Sequence, residues 1–302
     1  MRKILQRSLG GPEVLEYVEA DRPVPGPTEI LVEVRAAGVN PVDWKVRTSG
    51  GFLGNPPFTV GWELAGVVAA VGAGVTRFAV GDPVFGMPKF PREAAAYAEF
   101  VTGPARHFAR QPSELTVEEA GGLALAGLTA WQVLVETADI QPGQRVLIPA
   151  AAGGVGHLAV QIAKARGAYV IGTASAAKHE FVRGLGADEV IDHHTDDPGD
   201  VVRDIDLAIA TVAGQVPALR RTLRPGGMIV ALNGADAQDV VAAGGRFLLV
   251  EPDRAGLEAL AQLVQAGQLR VHVERVFPLA EAAAAHRLSE TGRTTGKIVL
   301  RP

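Results

Sequence analysis

The chain contains no cysteine in 302 residues. That absence removes disulfides, thiolate zinc sites and a cysteine nucleophile together. It also lacks a charge excess: the formal net charge is -4, and no basic run supplies an electrostatic footprint for nucleic acid or an anionic membrane. The N-terminal MRKILQRSLG has no apolar run of signal-peptide length. No uncharged apolar stretch reaches the roughly 20 residues of a membrane span. A cytoplasmic protein with neither nucleic acid nor membrane as partner is expected. Repeats and low-complexity tails are missing as well.

What remains is ordinary for a globular chain: 47% hydrophobic, 21% charged, 36 Gly and 20 Pro, in a length that suits about two domains. The first third reads as short strands with turn punctuation. EILVEVRAAGVN (29–40), ELAGVVAAVGAGV (63–75) and AYAEFVT (96–102) are strand candidates, separated by Pro- and Gly-rich turns. The character changes at TVEEAGGLALAGLTAWQVLVETADI (116–140), where Thr116 as N-cap and Glu119 three residues on precede an apolar helical run. From Arg145 strands and helices alternate. RVLIPA, AYVIGTA, DEVID, DLAIATV, MIVALNG and RFLLVEP read as strands. VGHLAVQIAKARG, AAKHEFVRGLG, VPALRRTLRPGG and AGLEALAQLVQAG read as helices. Such alternation predicts a doubly wound parallel sheet. The tail from Val273 reads strand, helix, strand, and its last strand is expected to return to the first, β-rich body.

The stretch AAAGGVGHLA (150–159) ends one apolar run and starts another. Aligned on G-x-G-x-x-G it gives Ala151, Gly153 and Gly156, with Gly154 between. A strand, this turn, a helix and a second strand are the setting of the dinucleotide fingerprint. Glycine there lets backbone N–H groups reach a pyrophosphate at the positive end of a helix. A site for NAD asks for an acidic residue at the end of the second strand. Here no carboxylate lies between Ala168 and Lys178; Ser175 and Lys178 instead suit a 2′-phosphate. One charge-assisted hydrogen bond is worth about 1.5–3 kcal/mol, roughly tenfold in preference. NADPH is therefore the expected cofactor.

These segments, with AAGVNPVDWKVRTSG, PFTVGWELAGVVAAVGAGVTRFAVGDPVFG, LGADEVID, LRPGGMIVALNG and GRTTGKIVL, resemble the medium-chain dehydrogenase/reductase superfamily in its zinc-independent quinone oxidoreductase, or zeta-crystallin-like, branch. The resemblance runs over nearly the whole chain. It implies an α/β protein: a GroES-like, β-rich catalytic domain (1–114 and 271–302) split by a Rossmann cofactor domain (115–270), with the cofactor in the cleft between them. It also implies a homodimer, for which the edge strand RFLLVEP is the candidate contact. Zinc-dependent members use a Cys, a His-Glu pair and a further Cys. Here Asn40 stands in the first place and Trp62 precedes Glu63 in the second, so no metal is expected. His193 and His194 are adjacent and lack partners in the sequence, which favours a solvated loop over a metal site.

The resemblance also assigns residues. Asn40 and Thr129 are expected near the nicotinamide, and Gly153, Gly154 and Val155 along the pyrophosphate. Ser175 and Lys178 are expected at the 2′-phosphate, with His193 where relatives often carry a Tyr near the adenosine phosphate. Val212 and Ala213 should line the adenine edge. Leu232, Asn233, Leu248, Leu249 and Val250 should line the nicotinamide side. Arg293 or Lys297 would add positive charge for the cofactor. Without a metal Lewis acid, hydride transfer suits an acceptor that spreads negative charge itself, such as a quinone; an enone or enoyl thioester, as in secondary metabolism, is the second choice. A non-catalytic NADPH-binding regulatory protein is the reading of another class. In several relatives a Tyr follows the NPxD/E segment; here Lys45 stands in its place, and Lys45 or Asp43 is the candidate acid or orienting group beside Asn40. Phe52 and Phe58 are candidates to stack on a planar substrate.

Overall fold

The computed structural model describes residues 1–302, in two compact units: 1–128 with 251–266 and 271–302, and 129–250 with 267–270. The family resemblance implies boundaries at 115 and 270; the helices just inside them pack on strands of the first unit.

The chain opens with a hairpin, β1 (Arg2–Gln6) and β2 (Leu15–Glu19). β3 (Glu29–Val39) follows, then α1 (Pro41–Ser49), β4 (Leu64–Val71), β5 (Pro83–Gly86), β6 (Phe100–Pro104) and β7 (Phe108–Arg110). Next come α2 (Val117–Gly121) and α3 (Ala124–Trp131). Thr116 caps α2 as its spacing to Glu119 predicts, accepting from the Glu119 N–H while that carboxylate accepts from the Thr116 N–H. The single helix expected over 116–140 is broken at Gly122 and finishes as a π-helical turn over Gln132–Thr137.

The second unit holds β8 (Arg145–Ile148), α4 (Gly156–Ala165), β9 (Tyr169–Ala174), α5 (His179–Gly184), β10 (Glu189–Asp192), α6 (Pro198–Val201), β11 (Ile205–Ala210), α7 (Val216–Arg220), β12 (Leu223–Ala231), α8 (Ala237–Ala242) and β13 (Arg246–Phe247). The chain then returns through α9 (Arg254–Gln265), β14 (Val273–Pro278), α10 (Ala282–Glu290) and β15 (Lys297–Arg301). None of these helices is long and apolar enough to cross a membrane.

In the first unit seven strands form one sheet, ordered β14-β15-β3-β4-β5-β7 with β6 also on β3. β15 pairs antiparallel with β3, Ile298 opposite Val39. The C-terminal tail thus returns to the β-rich body, as its apolar IVL suggests. In the second unit all six strands are parallel, in the order β10-β9-β8-β11-β12-β13. Numbered within the unit this is 3-2-1-4-5-6, the Rossmann order, whose ligands bind where the order reverses. Its core is Leu147, Ile171, Ala208, Ile229 and their neighbours, all closed to solvent.

Three further stretches differ from the expectation. VPALRRTLRPGG is helical only to Arg220; β12 begins at Leu223, because the parallel partner β11 recruits Leu223 opposite Ile205. RFLLVEP is strand only over Arg246–Phe247, since only those two residues find register on β12. In AYAEFVT the continuous strand starts at Phe100, with Ala98 making an isolated bridge to Lys3.

Candidate active site

In the first unit β3 runs straight into α1, and Asn40 is the hinge between them. Its extended backbone (φ -130°, ψ 156°) caps the helix, and Pro41 occupies the first helical position, where a missing N–H costs nothing. The Asp43 carboxylate reaches back to accept the Asn40 backbone N–H at 2.6 Å. The Asn40 side chain is held separately. Its Nδ2 donates to Glu63 Oε1 (2.7 Å) and its Oδ1 accepts from Lys297 Nζ (2.5 Å). Glu63 accepts only and the Lys297 ammonium donates only. The amide therefore has one orientation, and one Nδ2–H is left over.

Glu63 and Lys297 are themselves a buried ion pair, 2.7 Å apart with side chains 0% and 2% exposed. Glu63 Oε2 accepts the Leu125 N–H at 2.7 Å. Lys297 spends its three donors on Val39 O, Asn40 Oδ1 and Glu63 Oε1. The charge proposed for a cofactor is thus balanced within the protein, and no Lys297 donor remains for a phosphate. Trp62 is fully buried, its indole N–H given to Arg92 O at 2.8 Å. These groups do not suit zinc: there is no thiolate, no imidazole in the Trp62 place, and the one carboxylate is already neutralised.

A second buried network leads away from Asp43. Tyr97 donates its hydroxyl to Asp43 Oδ2 (3.0 Å), His286 Nε2 lies 3.2 Å from that hydroxyl, and His286 Nδ1 lies 3.1 Å from Arg47 Nη1. Arg47 continues to Glu290 at 2.5 Å and to Gly10 O at 3.0 Å. Asp43, Tyr97 and His286 are all 0% exposed. Burial raises the Asp43 carboxyl from 3.8 to about 7, against hydrogen bonds from Asn40 and Tyr97 that lower it. Burial, then the Arg47 charge, lowers His286 from 6.5 to about 3, so its ring is neutral near pH 7. Burial likewise pushes the Tyr97 phenol well above its usual range. Asp43 Oδ1 has no hydrogen-bond partner.

Sequence reasoning found Asn40 and Asp43 but not Glu63 with Lys297, nor Tyr97, His286 and Arg47. A signal existed: Arg47 lies four residues after Asp43 on one short helix, and His286 is the lone histidine in an alanine-rich helix. Lys45 points elsewhere, exposed, with its ammonium 5.6 Å from the Trp44 ring. Phe52 is half-exposed and meets Trp62 and Phe90 edge-on at 5.5 and 5.3 Å. Phe58 is core, 3% exposed. Arg293 is exposed in the turn before β15.

In the second unit the expected cofactor residues gather at the carboxyl ends of the parallel strands. Two residues past the end of β8, Ala150 takes the left-handed conformation (φ 49°). The chain turns through Gly153, Gly154 and Val155 into α4. Glycine at 156 is demanded by close approach: a Cβ there would lie 2.2 Å from Ala150 O. The N–H groups of Gly154, Val155 and Gly156 find no acceptor in the chain, as a pyrophosphate cradle requires. Thr129 is buried on α3. Ser175 and Lys178 are half-buried at the end of β9. One group escaped the sequence reading. Asp192, at the end of β10, accepts the Ala176 and His194 N–H groups, so a carboxylate reaches this corner from the neighbouring strand. The His194 N–H bond holds it below the usual carboxylate range. His193 is exposed beyond it, its ring 4.2 Å from that of His194. Val212 and Ala213 follow β11, Leu232 and Asn233 follow β12, and Leu248, Leu249 and Val250 follow β13. Val212 and Leu249 are about half exposed, 49% and 48%.

Comparison with known proteins agrees with both halves. Residues 26–139 match the alcohol dehydrogenase GroES-like domain and residues 185–300 the zinc-binding dehydrogenase family. A 2-haloacrylate reductase of Burkholderia sp is 35% identical over 97% of this chain and 96% of its own. The structure of the quinone oxidoreductase from Coxiella burnetii superposes with a TM-score of 0.94 at 35% identity, covering 100% of this chain and 99% of that one. Escherichia coli quinone oxidoreductase complexed with NADPH gives a TM-score of 0.89 at 29% identity, with 100% of both chains covered. The chain is an oxidoreductase of the medium-chain dehydrogenase/reductase superfamily and belongs to its zinc-independent quinone oxidoreductase branch.

Proposed function

We propose that this protein is an NADPH-dependent reductase that passes hydride to quinones. The observation that carries the reading is the composition of the Asn40 cluster. Where zinc-dependent relatives place metal ligands, this chain places an amide locked between a carboxylate and an ammonium. That cluster orients; it offers no Lewis acid. The acceptor must then stabilise its own negative charge, which quinones do.

When bound, NADPH supplies the hydride. The chain's own residues hold and orient it. The free N–H groups after Gly153 bind pyrophosphate oxygens. Ser175 and Lys178 take the 2′-phosphate, with His193 beside them. Thr129, Leu232, Asn233 and Leu248 to Val250 shape the nicotinamide side, Val212 and Ala213 the adenine edge. The family pattern assigns Asn40 to the nicotinamide end, where its remaining N–H is a fixed donor. The half-exposed Phe52, braced by Trp62 and Phe90, gives the first unit an apolar face for a planar ring. Asp43 is buried behind Asn40 and acts through it. The edge strand β13 pairs two copies into a homodimer, its exposed Phe247 being covered in that contact.

An enone or enoyl thioester is the second reading, favoured by the similarity to a 2-haloacrylate reductase. The test is NADPH absorbance with a planar ortho-quinone, an enone in parallel, and NADH as control. Loss of NADPH with the quinone, much slower with NADH, is expected. Turnover of the enone alone would transfer the assignment to double-bond reduction. NADPH binding without oxidation by either acceptor would leave a non-catalytic role.

A further inference from the structure

The network behind Asp43 has a direction, and the direction follows from its end member. Arginine can only donate. His286 Nδ1, facing Arg47 Nη1, must therefore be the bare, accepting nitrogen. The ring is neutral, so the proton sits on Nε2. Nε2–H then donates to the Tyr97 oxygen, and the Tyr97 hydroxyl donates onward to Asp43 Oδ2. Every link runs one way, from Arg47 to Asp43. Arg47 is fixed in turn by Glu290, Gly10 O and Thr48 Oγ1. A proton taken up by Asp43 would sit on the unpartnered Oδ1 and leave every link intact. The groups facing Asp43 from all sides are Tyr97, Glu63 and Lys297 with the Asn40 N–H.

We propose that Tyr97 and His286 are positioning residues for Asn40: the one-way chain Arg47 → His286 → Tyr97 → Asp43 holds the carboxylate against the Asn40 backbone, while Glu63 and Lys297 hold its amide, so that the last Nδ2–H is kept as a fixed hydrogen-bond donor for a ligand. This rests on Asn40 as the ligand-facing member of the first unit. Asn40 is gripped from both sides by buried groups and is itself 4% exposed, a small window that suits one hydrogen bond. In this role His286 never changes protonation. Its task is a donor at Nε2 and an acceptor at Nδ1, and a glutamine side chain presents the same pair.

That equivalence makes the test. The chain has three asparagines, Asn40, Asn55 and Asn233, so asparagine-selective 15N labelling yields a spectrum simple enough to assign by substitution. His286→Leu and Tyr97→Phe should displace the Asn40 backbone and side-chain amide signals and weaken NADPH binding by about fivefold, the equivalent of one hydrogen bond. His286→Gln should restore the Asn40 signals and an affinity within about twofold of the parent. Ring 15N shifts should show His286 protonated at Nε2 alone from pH 5 to 8. Unmoved Asn40 signals in folded Tyr97→Phe, or a folded His286→Gln that matches His286→Leu, would overturn the proposal. If the Asn40 signals respond and recover as stated but the parent binds no NADPH, the positioning chain stands and the cofactor reading falls.

Discussion

His286 and Asp43 should leave opposite marks on stability against pH, and two substitutions should separate them. Asp43 is raised in the fold from 3.8 to about 7. Between those values the folded chain holds a proton that the unfolded chain has released. Stability from this group is therefore full below pH 4 and is lost as pH rises through 7. His286 is lowered from 6.5 to about 3. In its window the unfolded chain holds the extra proton, so stability is full above pH 6.5 and is lost as pH falls towards 3. One proton of difference changes the unfolding free energy by about 1.4 kcal/mol per pH unit. From pH 4 to 6.5 the two slopes have opposite signs and cancel.

Substitution removes the cancellation. In His286→Gln only the Asp43 slope remains, so its stability relative to the parent should fall as pH rises, by about 3 kcal/mol across pH 4 to 6.5. In Asp43→Asn only the His286 slope remains, and relative stability should fall by a similar amount, about 3 kcal/mol, as pH drops over the same range. Above pH 7.5 both variants should run parallel to the parent. Urea unfolding at half-unit pH steps measures this, because differences between variants cancel every other titrating group. Parallel lines throughout, or divergence of the reverse sign, would refute the assignment of a buried protonatable carboxyl beside a buried neutral imidazole.

Breaking the buried ion pair should be costly and non-additive. Lys297→Met or Glu63→Gln alone should lower the unfolding free energy by about 3–5 kcal/mol, because one charge is left buried without its partner; the double variant should lose less than the sum of the two. Gly156→Ala drives a Cβ towards Ala150 O and should cost about 1–3 kcal/mol, with NADPH affinity falling in the same variant in equilibrium titration. Lys178→Ala should weaken NADPH by roughly tenfold and leave NADH unchanged, the measure of one charge-assisted bond to a 2′-phosphate. Light scattering on the eluting protein should give the mass of two chains, and Phe247→Lys, on the exposed edge strand β13, should give one.

The second unit was legible because its signals are local. Period-2 and helical runs alternate with glycine stops, and a parallel sheet needs only that alternation to fix its topology. Even the misread stretch shows the rule: LRPGG carries turn residues, yet β11 draws Leu223 into register opposite Ile205. Pairing with a strand nearly twenty residues away overrode the local preference. Asp192 was missed for the same reason. It is distant from Ser175 in sequence, and only the β9–β10 pairing, with Asp192 opposite Ala174, brings it to that corner.

The first unit hid its chemistry more deeply, and Lys297 shows why. In the sequence it is one basic residue in GRTTGKIVL, indistinguishable from a solvated lysine offered to a phosphate. Its partners lie 234 and 257 positions away by residue number, at Glu63 and Asn40. Only the antiparallel pairing of β15 with β3, Ile298 opposite Val39, carries the ammonium to the carbonyl of Val39 and the amide beyond it. Once there, burial decides its role. An ammonium with three donors and three acceptors is satisfied, so its charge serves the cluster. The retained Glu63 then needs no metal, and Asn40 in the cysteine's place needs no thiolate. What the site keeps from its metal-dependent relatives is the placement of an oriented group at the end of β3. On the proposed reading it gives up the polarising cation, and that exchange would narrow the acceptor to one able to carry the incoming hydride's charge on its own.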